Sequence, residues 1–500
     1  MDNLETVISL LSKKDMNSFV VYLQEQKVMR KDLMLLRLLS AEQTLSTAVI
    51  VKRIYGEQNN NAYHSLRKRL LNQLASFFLR QSVYGEPNEL NQALSTLRIG
   101  KQMLEKNIPT VAAYYLKRAE TIALRNQQPD VLDRIYNFLI SHSEELNVSI
   151  EDVASKWQLN TIQLQKHQKL NIAYAIIRKQ LAAARSSGTT LDPELIIDSV
   201  FNDFEITSDQ ANNPVFMHRL VSMARSAIIS TKDYHRFEPF LIRIYSRLKR
   251  VNAFGRKDSE FELGFIFMIA HVYYRNRKFI EMREWLEKMN SILPTRDFKN
   301  SEYYPKYVAL SAALYCFTGK NEQAIVLVKS TLQDKTLRIP LAERLNFQLN
   351  LSVFYFQSSE FKKSNRVLID VGHSDKWLEA RMGKEWRFKK NLIEVIVQFE
   401  LGNHEIALKQ LKSIQKYYSQ FLKHPIYLRA QLFIDFVRKL ILDPTIATTK
   451  EFAPEVEGAR MGWPSEKEDI QAITFFCWLK SKMSGRKYYD VLLEAINERN

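Results

Sequence analysis

The sequence predicts an all-α protein, and three observations carry that prediction. Glycine is scarce, with 13 in 500 residues, against an average usage of roughly 7%. Sheets and phosphate-cradling loops need glycine for positive φ and close backbone approach, whereas helical arrays need little. Apolar residues recur at three- and four-residue spacing nearly everywhere, and the alternation of a half-buried strand is rare. Turn-forming residues then divide the chain at GEQNNN (56–61), YGEPNE (84–89), NQQPD (126–130), SSGTTLDP (186–193), ANNP (211–214), NAFGRKDS (252–259), LPTRD (293–297) and 443–466. Between these breaks the pattern leaves helices of roughly 12–20 residues, each opened or closed by Gly, Pro or Asn. SSGTTLDP and 443–466 read as the longest flexible loops.

A chain of 500 residues exceeds what one core holds. The expected division is an N-terminal helical module over 1–90, helical hairpins over 91–210, and a repeat array with C-terminal capping helices over 211–500. The formal charge is +17, from 72 basic and 55 acidic residues. Such a field favours acidic partners: nucleic acid, anionic lipid or an acidic protein surface. The acids and bases are interspersed, which fits plain solvation as well. RLKR (247–250) and RFKK (387–390) are the densest basic runs, and each is short enough to be a solvated helix face.

Cys316 and Cys477 lie in apolar stretches (AALYCF, ITFFCWL) and read as small buried hydrophobes. Two cysteines build no disulfide framework, which fits a reducing compartment. MDNLETVISLLSKKD starts acidic and turns amphipathic, unlike a signal peptide. Apolar runs such as GFIFMIA (264–270) are too short to span a bilayer. A cytoplasmic protein with no membrane insertion is expected.

The turns KDYHRF, RKFIEM, GKNEQA, SEFKKS and GNHEIA begin at Lys232, Arg277, Gly319, Ser359 and Gly402, spaced 45, 42, 40 and 43 residues apart. So regular an interval points to stacked helix pairs. Around these turns Ala270-Tyr273-Phe279, Ala312-Tyr315-Ala324 and Ser352-Tyr355-Phe361-Ser364 place a small residue, then an aromatic, ahead of each turn. Leu286, Val328, Leu368 and Leu411 recur on the second helices. This pattern resembles the tetratricopeptide repeats over roughly 215–500, and more loosely over 95–185. It departs from that family in a period longer than 34 residues, and in Asn321 and His404 at the turn-aromatic position. The resemblance implies a right-handed α-solenoid whose first helices line a concave groove. It places His271, Tyr274, Arg275, Lys306, Phe317, Asn346, Phe356, Gln357, Lys389 and Phe399 in that groove. Aromatics mixed with basic and amide side chains suit an anchor-and-clamp surface, with Arg275 and Lys389 expected to hold an acidic or C-terminal carboxylate.

Near the N-terminus, DLMLLRLL (32–39), STAVIVKRIYG (46–56, opened by a Ser/Thr cap) and a longer helix from about Asn61 follow one another. This order resembles winged-helix and helix-turn-helix modules, whose third helix enters the major groove. The resemblance offers Lys52, Arg53, His64, Arg67 and Lys68 as nucleic-acid contacts. Against it, Tyr63, Leu66, Leu70, Leu74, Phe77 and Phe78 form one apolar stripe, with His64, Arg67, Lys68 and Asn72 outward. No wing hairpin is legible after residue 80. The stripe favours a capping or docking helix over a reader of DNA.

Reaction chemistry is not legible. There is no glycine-rich dinucleotide fingerprint, phosphate loop or His-Glu-x-x-His motif. GHSD (372–375) juxtaposes Ser with His and Asp, but it lacks the nucleophile elbow, and these residue types favour turns on backbone grounds alone. No cofactor, metal or catalytic residue is expected. DIQAITFFCWLKSKMSGRKYYDVLLEAINERN (469–500) reads as a closing helix pair whose second helix begins near Arg486, with Trp478 anchoring the cap. The expected work is non-enzymatic: a scaffold or adaptor gripping an acidic or amphipathic segment of another protein. The alternative is a nucleic-acid-associated regulator with an N-terminal helix-turn-helix-like module and a sensing or oligomerising array. A helical-repeat RNA-binding protein is a third reading.

Overall fold

A computed structural model describes the chain apart from residues 1–3, 5–6, 9–10, 12, 27–29, 41–46, 57–58, 85–88, 188–192, 232–233, 256–257, 424–426, 462–469 and 498–500. The described residues are overwhelmingly helical and contain no strand. The chain divides into two compact units, 1–168 and 169–500.

In the first unit, helices α1 (Lys13–Glu25), α2 (Arg30–Ser40), α3 (Thr47–Tyr55) and α4 (Asn60–Tyr84) surround one core. Phe19, Leu23, Leu35, Val51, Tyr63, Leu70 and Leu74 fill it. A second core lies under α5 (Glu89–Glu105), α6 (Pro109–Arg125) and α7 (Pro129–Ser141). α6 and α7 both open on proline, whose fixed φ suits the first helical position and whose missing N–H costs nothing there. α8 spans Ile150–Ser187, and its residues from 169 on belong to the second unit.

The second unit contains α9 (Pro193–Asp203), α10 (Pro214–Thr231) and α11 (Tyr234–Arg250). Four helix pairs follow: α12 (Ser259–Arg275) with α13 (Phe279–Ser291), α14 (Tyr304–Phe317) with α15 (Asn321–Gln333), α16 (Leu341–Gln357) with α17 (Phe361–Asp370), and α18 (Lys384–Glu400) with α19 (His404–Tyr417). The unit ends with α20 (Leu428–Leu442), α21 (Phe452–Met461), α22 (Ile470–Ser484) and α23 (Tyr488–Asn497). Within each of the four pairs the helices pack on each other, and each first helix also packs on the first helix of the next pair.

One turn geometry generates this repetition. Arg277, Gly319, Ser359 and Gly402 all adopt left-handed backbone, with φ of 63°, 82°, 59° and 77°. The next N–H in each turn reaches back to a carbonyl of the first helix: Lys278 to Tyr273, Lys320 to Tyr315, Glu360 to Tyr355 and Asn403 to Gln398, at 2.8–2.9 Å. These are Schellman closures, which satisfy the carbonyls a helix end leaves unpaired and reverse the chain in three residues. Asn107 and Gln127 make the same turn in the first unit. Lys232, the first turn of the predicted series, lies outside the described residues.

The small residues at the predicted positions are where the paired helices approach. Ala270, Ala312, Ser352, Ala324, Ser364 and Ala407 have no exposed surface, and the Ser352 and Ser364 hydroxyls meet at 2.9 Å. Leu286, Val328, Leu368 and Leu411 are buried behind them. At the turn-aromatic position Asn321 compensates by donating to the Phe354 carbonyl at 2.8 Å and to the Ser358 hydroxyl at 2.8 Å.

Two expectations change. The segment 443–466 is not a long loop where it is described: a short 3₁₀ turn (Pro444–Thr448) and α21 occupy 444–461. Asp443 caps that turn through Thr445, and Phe452 and Val456 are buried. Residues 462–466, residues 188–192 of the predicted loop 186–193 and Ser46 of the predicted helix cap lie outside the description, and the ends of that loop belong to the helices on either side. On α4, Phe78 is 38% exposed and leaves the stripe; Tyr63, Leu66, Leu70, Leu74 and Phe77 are buried as predicted.

Candidate binding surface

The first helices α12, α14, α16 and α18 carry corresponding positions in register. Near their starts the corresponding residues are Gly264, Lys306, Asn346 and Lys389; in their last turns they are Tyr274, Cys316, Phe356 and Phe399, followed by Arg275, Phe317, Gln357 and Glu400. Lys306 and Phe317 stand about 16 Å apart along α14 at 1.5 Å per residue. Seven of the ten predicted groove residues therefore divide into two sets with different surroundings, and His271, Tyr274 and Arg275 of α12 stand apart from both.

The last-turn set is covered by the chain itself. Phe317, Phe356, Gln357 and Phe399 are buried, so they are not open groove surface. The C-terminal hairpin α22–α23 lies against them. Tyr488 meets Phe356 edge-on with ring centroids 5.5 Å apart, and Trp478 meets Phe399 likewise at 5.5 Å. The Tyr489 hydroxyl donates to the Cys316 carbonyl at 2.5 Å. One continuous apolar core joins Phe279 and Leu286 of α13 and Leu314 and Phe317 of α14 to Ile473 of α22 and Val491 and Ile496 of α23. The hairpin thus packs back along three first helices rather than only closing the last pair. Its second helix begins at Tyr488, two residues beyond the predicted start. Trp478 anchors it as expected, buried and hydrogen-bonded to Glu400. Burial pushes the Cys316 thiol up, and its S–H donates to the Gln357 amide oxygen at 2.9 Å.

The early-helix set stays partly open. Lys306 is 28% exposed, ion-paired with Glu302 at 3.6 Å, and lies over the Tyr303 ring at 4.3 Å. Lys389 is 32% exposed and pairs with Glu385 at 3.2 Å. Asn346 accepts from the Trp386 indole at 3.0 Å. Around α12, Arg275 lies over the Tyr234 ring at 4.7 Å, and His271 contacts Tyr234 and Tyr274. Burial, together with the charges of Arg225 and Arg275, holds the His271 imidazole well below its usual titration range. Gly264 is where His218 and Tyr303 converge: a Cβ there would stand 2.1 Å from His218 Nε2 and 2.6 Å from Tyr303 Oη.

The basic residues near the N-terminus separate in the same way. Lys52, Arg53, His64 and Lys68 are exposed. Arg67 is half-buried and donates to the Tyr63 hydroxyl at 2.8 Å. Its neighbour Arg69 is structural: it holds the fully buried Asp32 carboxylate by two hydrogen bonds of 2.9 and 2.6 Å. The chain after α4 resumes as α5, and no strand stands among the described residues where a wing would be.

GHSD is a helix start. Ser374 accepts from the Trp377 N–H as the cap of the short helix Asp375–Met382, His373 stacks on Trp377 at 3.7 Å, and Asp375 faces Arg387, Lys390 and Asn391. Among the described residues no group of three His, Cys, Asp or Glu side chains is placed to hold a metal ion, and no helix is long and apolar enough to cross a membrane.

No protein-family model matches this chain, and no curated protein matches it.

Proposed function

We propose that this chain is a non-enzymatic adaptor. Its four registered helix pairs act as a tetratricopeptide-like solenoid, and the first-helix face grips an acidic or amphipathic segment of another protein. The observation that supports this reading is the seating of α22–α23. A helical hairpin is accommodated by the aromatic last turns of α14, α16 and α18, which is the chemistry expected of a helix-accepting face. Beside it, Lys306, Asn346 and Lys389 form a polar row in register and partly exposed. Anchors with a basic rim suit a partner with alternating apolar and acidic positions. The test is affinity purification from the native cell with wild-type chain and a Lys306→Glu/Lys389→Glu variant. A protein recovered near stoichiometry with wild type and lost with the variant is the expected result. Equal recovery by both contradicts the placement of the groove.

A second reading has its own support. Lys52, Arg53 and Lys68 are exposed, and no carboxylate pairs with them among the described residues. Unpaired surface cations are the footprint of phosphate contact. Duplex DNA titrated from low to physiological salt separates the readings. A steep salt dependence that Lys52→Glu/Lys68→Glu flattens favours a nucleic-acid-associated regulator, and indifference to the variant favours solvation.

A further inference from the structure

Several cations around α11–α14 find acids. Lys249 reaches Glu262 at 3.0 Å, Lys278 reaches Glu238 at 2.5 Å and Lys306 reaches Glu302 at 3.6 Å. Arg225 of α10 does not. Its guanidinium lies 5.2 Å from the Phe267 ring centroid, no carboxylate pairs with it among the described residues, and its Nε is buried without a hydrogen-bond partner. His271, on the facing helix α12, is in the same condition: its Nδ1 is buried and unpartnered. A third cation, Arg275, stands one turn further along α12 against Tyr234.

Grouping these charges is costly. A desolvated guanidinium without a counter-charge loses hydration that nothing replaces, and a second guanidinium nearby adds repulsion. Both effects act on Arg225, where burial and the charge of Arg275 weaken proton retention. The same two arginines act on His271. Aromatic rings enclose the group: Phe267 and Tyr234 each lie 6.0 Å from the His271 ring, and Tyr303 lies 6.1 Å from Phe267. Such walls lower the local dielectric and strengthen any charge-assisted hydrogen bond formed inside them. An anion with two or more oxygens relieves the repulsion and supplies acceptors for the orphaned donors.

We propose that Arg225 and His271 form an oxyanion-binding site for a carboxylate or phosphate group, with Arg275 and Lys306 at its rim. The Arg225 fork takes the oxygens, and His271, protonated in the bound state, donates from Nδ1. The site deepens the adaptor reading and rests on it only for the carrier of the anion: an acidic or phosphorylated residue of the bound segment.

The test needs no partner protein, so its failure is distinct from failure of the adaptor reading. Full-length chain with isotope-labelled histidine is titrated with inorganic phosphate and, separately, with N-acetylglutamate, against sodium chloride at matched ionic strength. The expected result is a saturable shift of the His271 resonance with a midpoint of about 1 mM, accompanied by a rise in the pH at which that ring protonates. Arg225→Gln weakens the midpoint by about tenfold or more, and Arg225→Lys, which keeps the charge but loses the fork, falls between. A response to phosphate alone assigns a phosphorylated carrier, and a response to N-acetylglutamate, alone or with phosphate, assigns an acidic one. No saturable shift beyond chloride overturns the proposal, as does a midpoint unchanged in both Arg225 variants.

Discussion

The Trp478 indole N–H donates to the Glu400 carboxylate at 2.6 Å, tying the C-terminal hairpin to the last turn of α18. Lys482 reaches the same oxygen at 2.5 Å, so among the described residues the nearly buried carboxylate is compensated by α22. Trp478→Phe keeps the ring contact with Phe399 but removes the donor. It is expected to cost about 1–3 kcal/mol, the cost of leaving a buried acceptor under-satisfied. Trp478→Ala adds a cavity and costs about 3–5 kcal/mol. Chemical denaturation of both variants checks the order; a Trp478→Phe variant as stable as wild type would mean that the hydrogen bond contributes nothing.

Left-handed backbone at the repeat turns gives a prediction of opposite signs. Arg277 and Ser359 occupy positions where Gly319 and Gly402 stand in the other pairs. A non-glycine residue there carries about 1 kcal/mol of strain. Ser359→Gly and Arg277→Gly are therefore expected to raise stability by up to about 1 kcal/mol, and Gly402→Ala to lower it by about as much. Thermal melts of the three variants decide it.

Gly264→Ala puts a methyl group where His218 and Tyr303 already meet, 3.2 Å apart. Both side chains belong to a packed core, so the insertion is expected to cost about 1–3 kcal/mol. A melting temperature within error of wild type would show that the His218–Tyr303 pair yields without cost.

Arg69→Ala strands the Asp32 carboxylate in the N-terminal core. Breaking a buried pair from one side costs about 3–5 kcal/mol, and the half-exposed arginine places the loss at the lower end. Lys68→Ala, one residue away and exposed, is expected to be neutral. Similar melting temperatures for the two variants would contradict the structural role of Arg69.

His218 and His271 both titrate below their usual value in the folded chain: burial dominates for each, opposed at His218 by Glu302 and reinforced at His271 by Arg225 and Arg275. A histidine depressed on folding contributes stability that is complete above the unfolded value of about 6.5. That contribution is lost as pH falls from there towards the folded values, at up to about 1.4 kcal/mol per pH unit for each ring. Denaturation in anion-poor buffer between pH 7.5 and pH 5 is expected to show this decline, with His271→Gln reducing the slope.

Helical class and turn register were legible because both are local. The spacing of Arg277, Gly319, Ser359 and Gly402 reports a three-residue closure whose hydrogen bonds stay within one turn, and Ala312 or Ser352 are small because a partner helix passes them. The fold-back of α22–α23 was not legible. It rests on pairs such as Tyr489 with Cys316, 173 residues apart, which no periodicity encodes. One signal was present: TFFCWL is apolar on successive residues, more than a helix covering a single face requires. Residues 444–461 read as loop because Pro444 and Gly458 outweighed the burial of Phe452 and Val456. The predicted groove set mixed two rows of one helix face. Resemblance assigns the face, and only packing shows which end of it is already covered.

The most direct measurement is photo-crosslinking in the native cell, with a photoreactive amino acid at Lys306 or Lys389 of the first-helix face and at the exposed Val326 of α15 as the control. The account predicts a discrete protein adduct from both face positions and none from position 326. Adducts formed equally at 326, or only to nucleic acid, would contradict it.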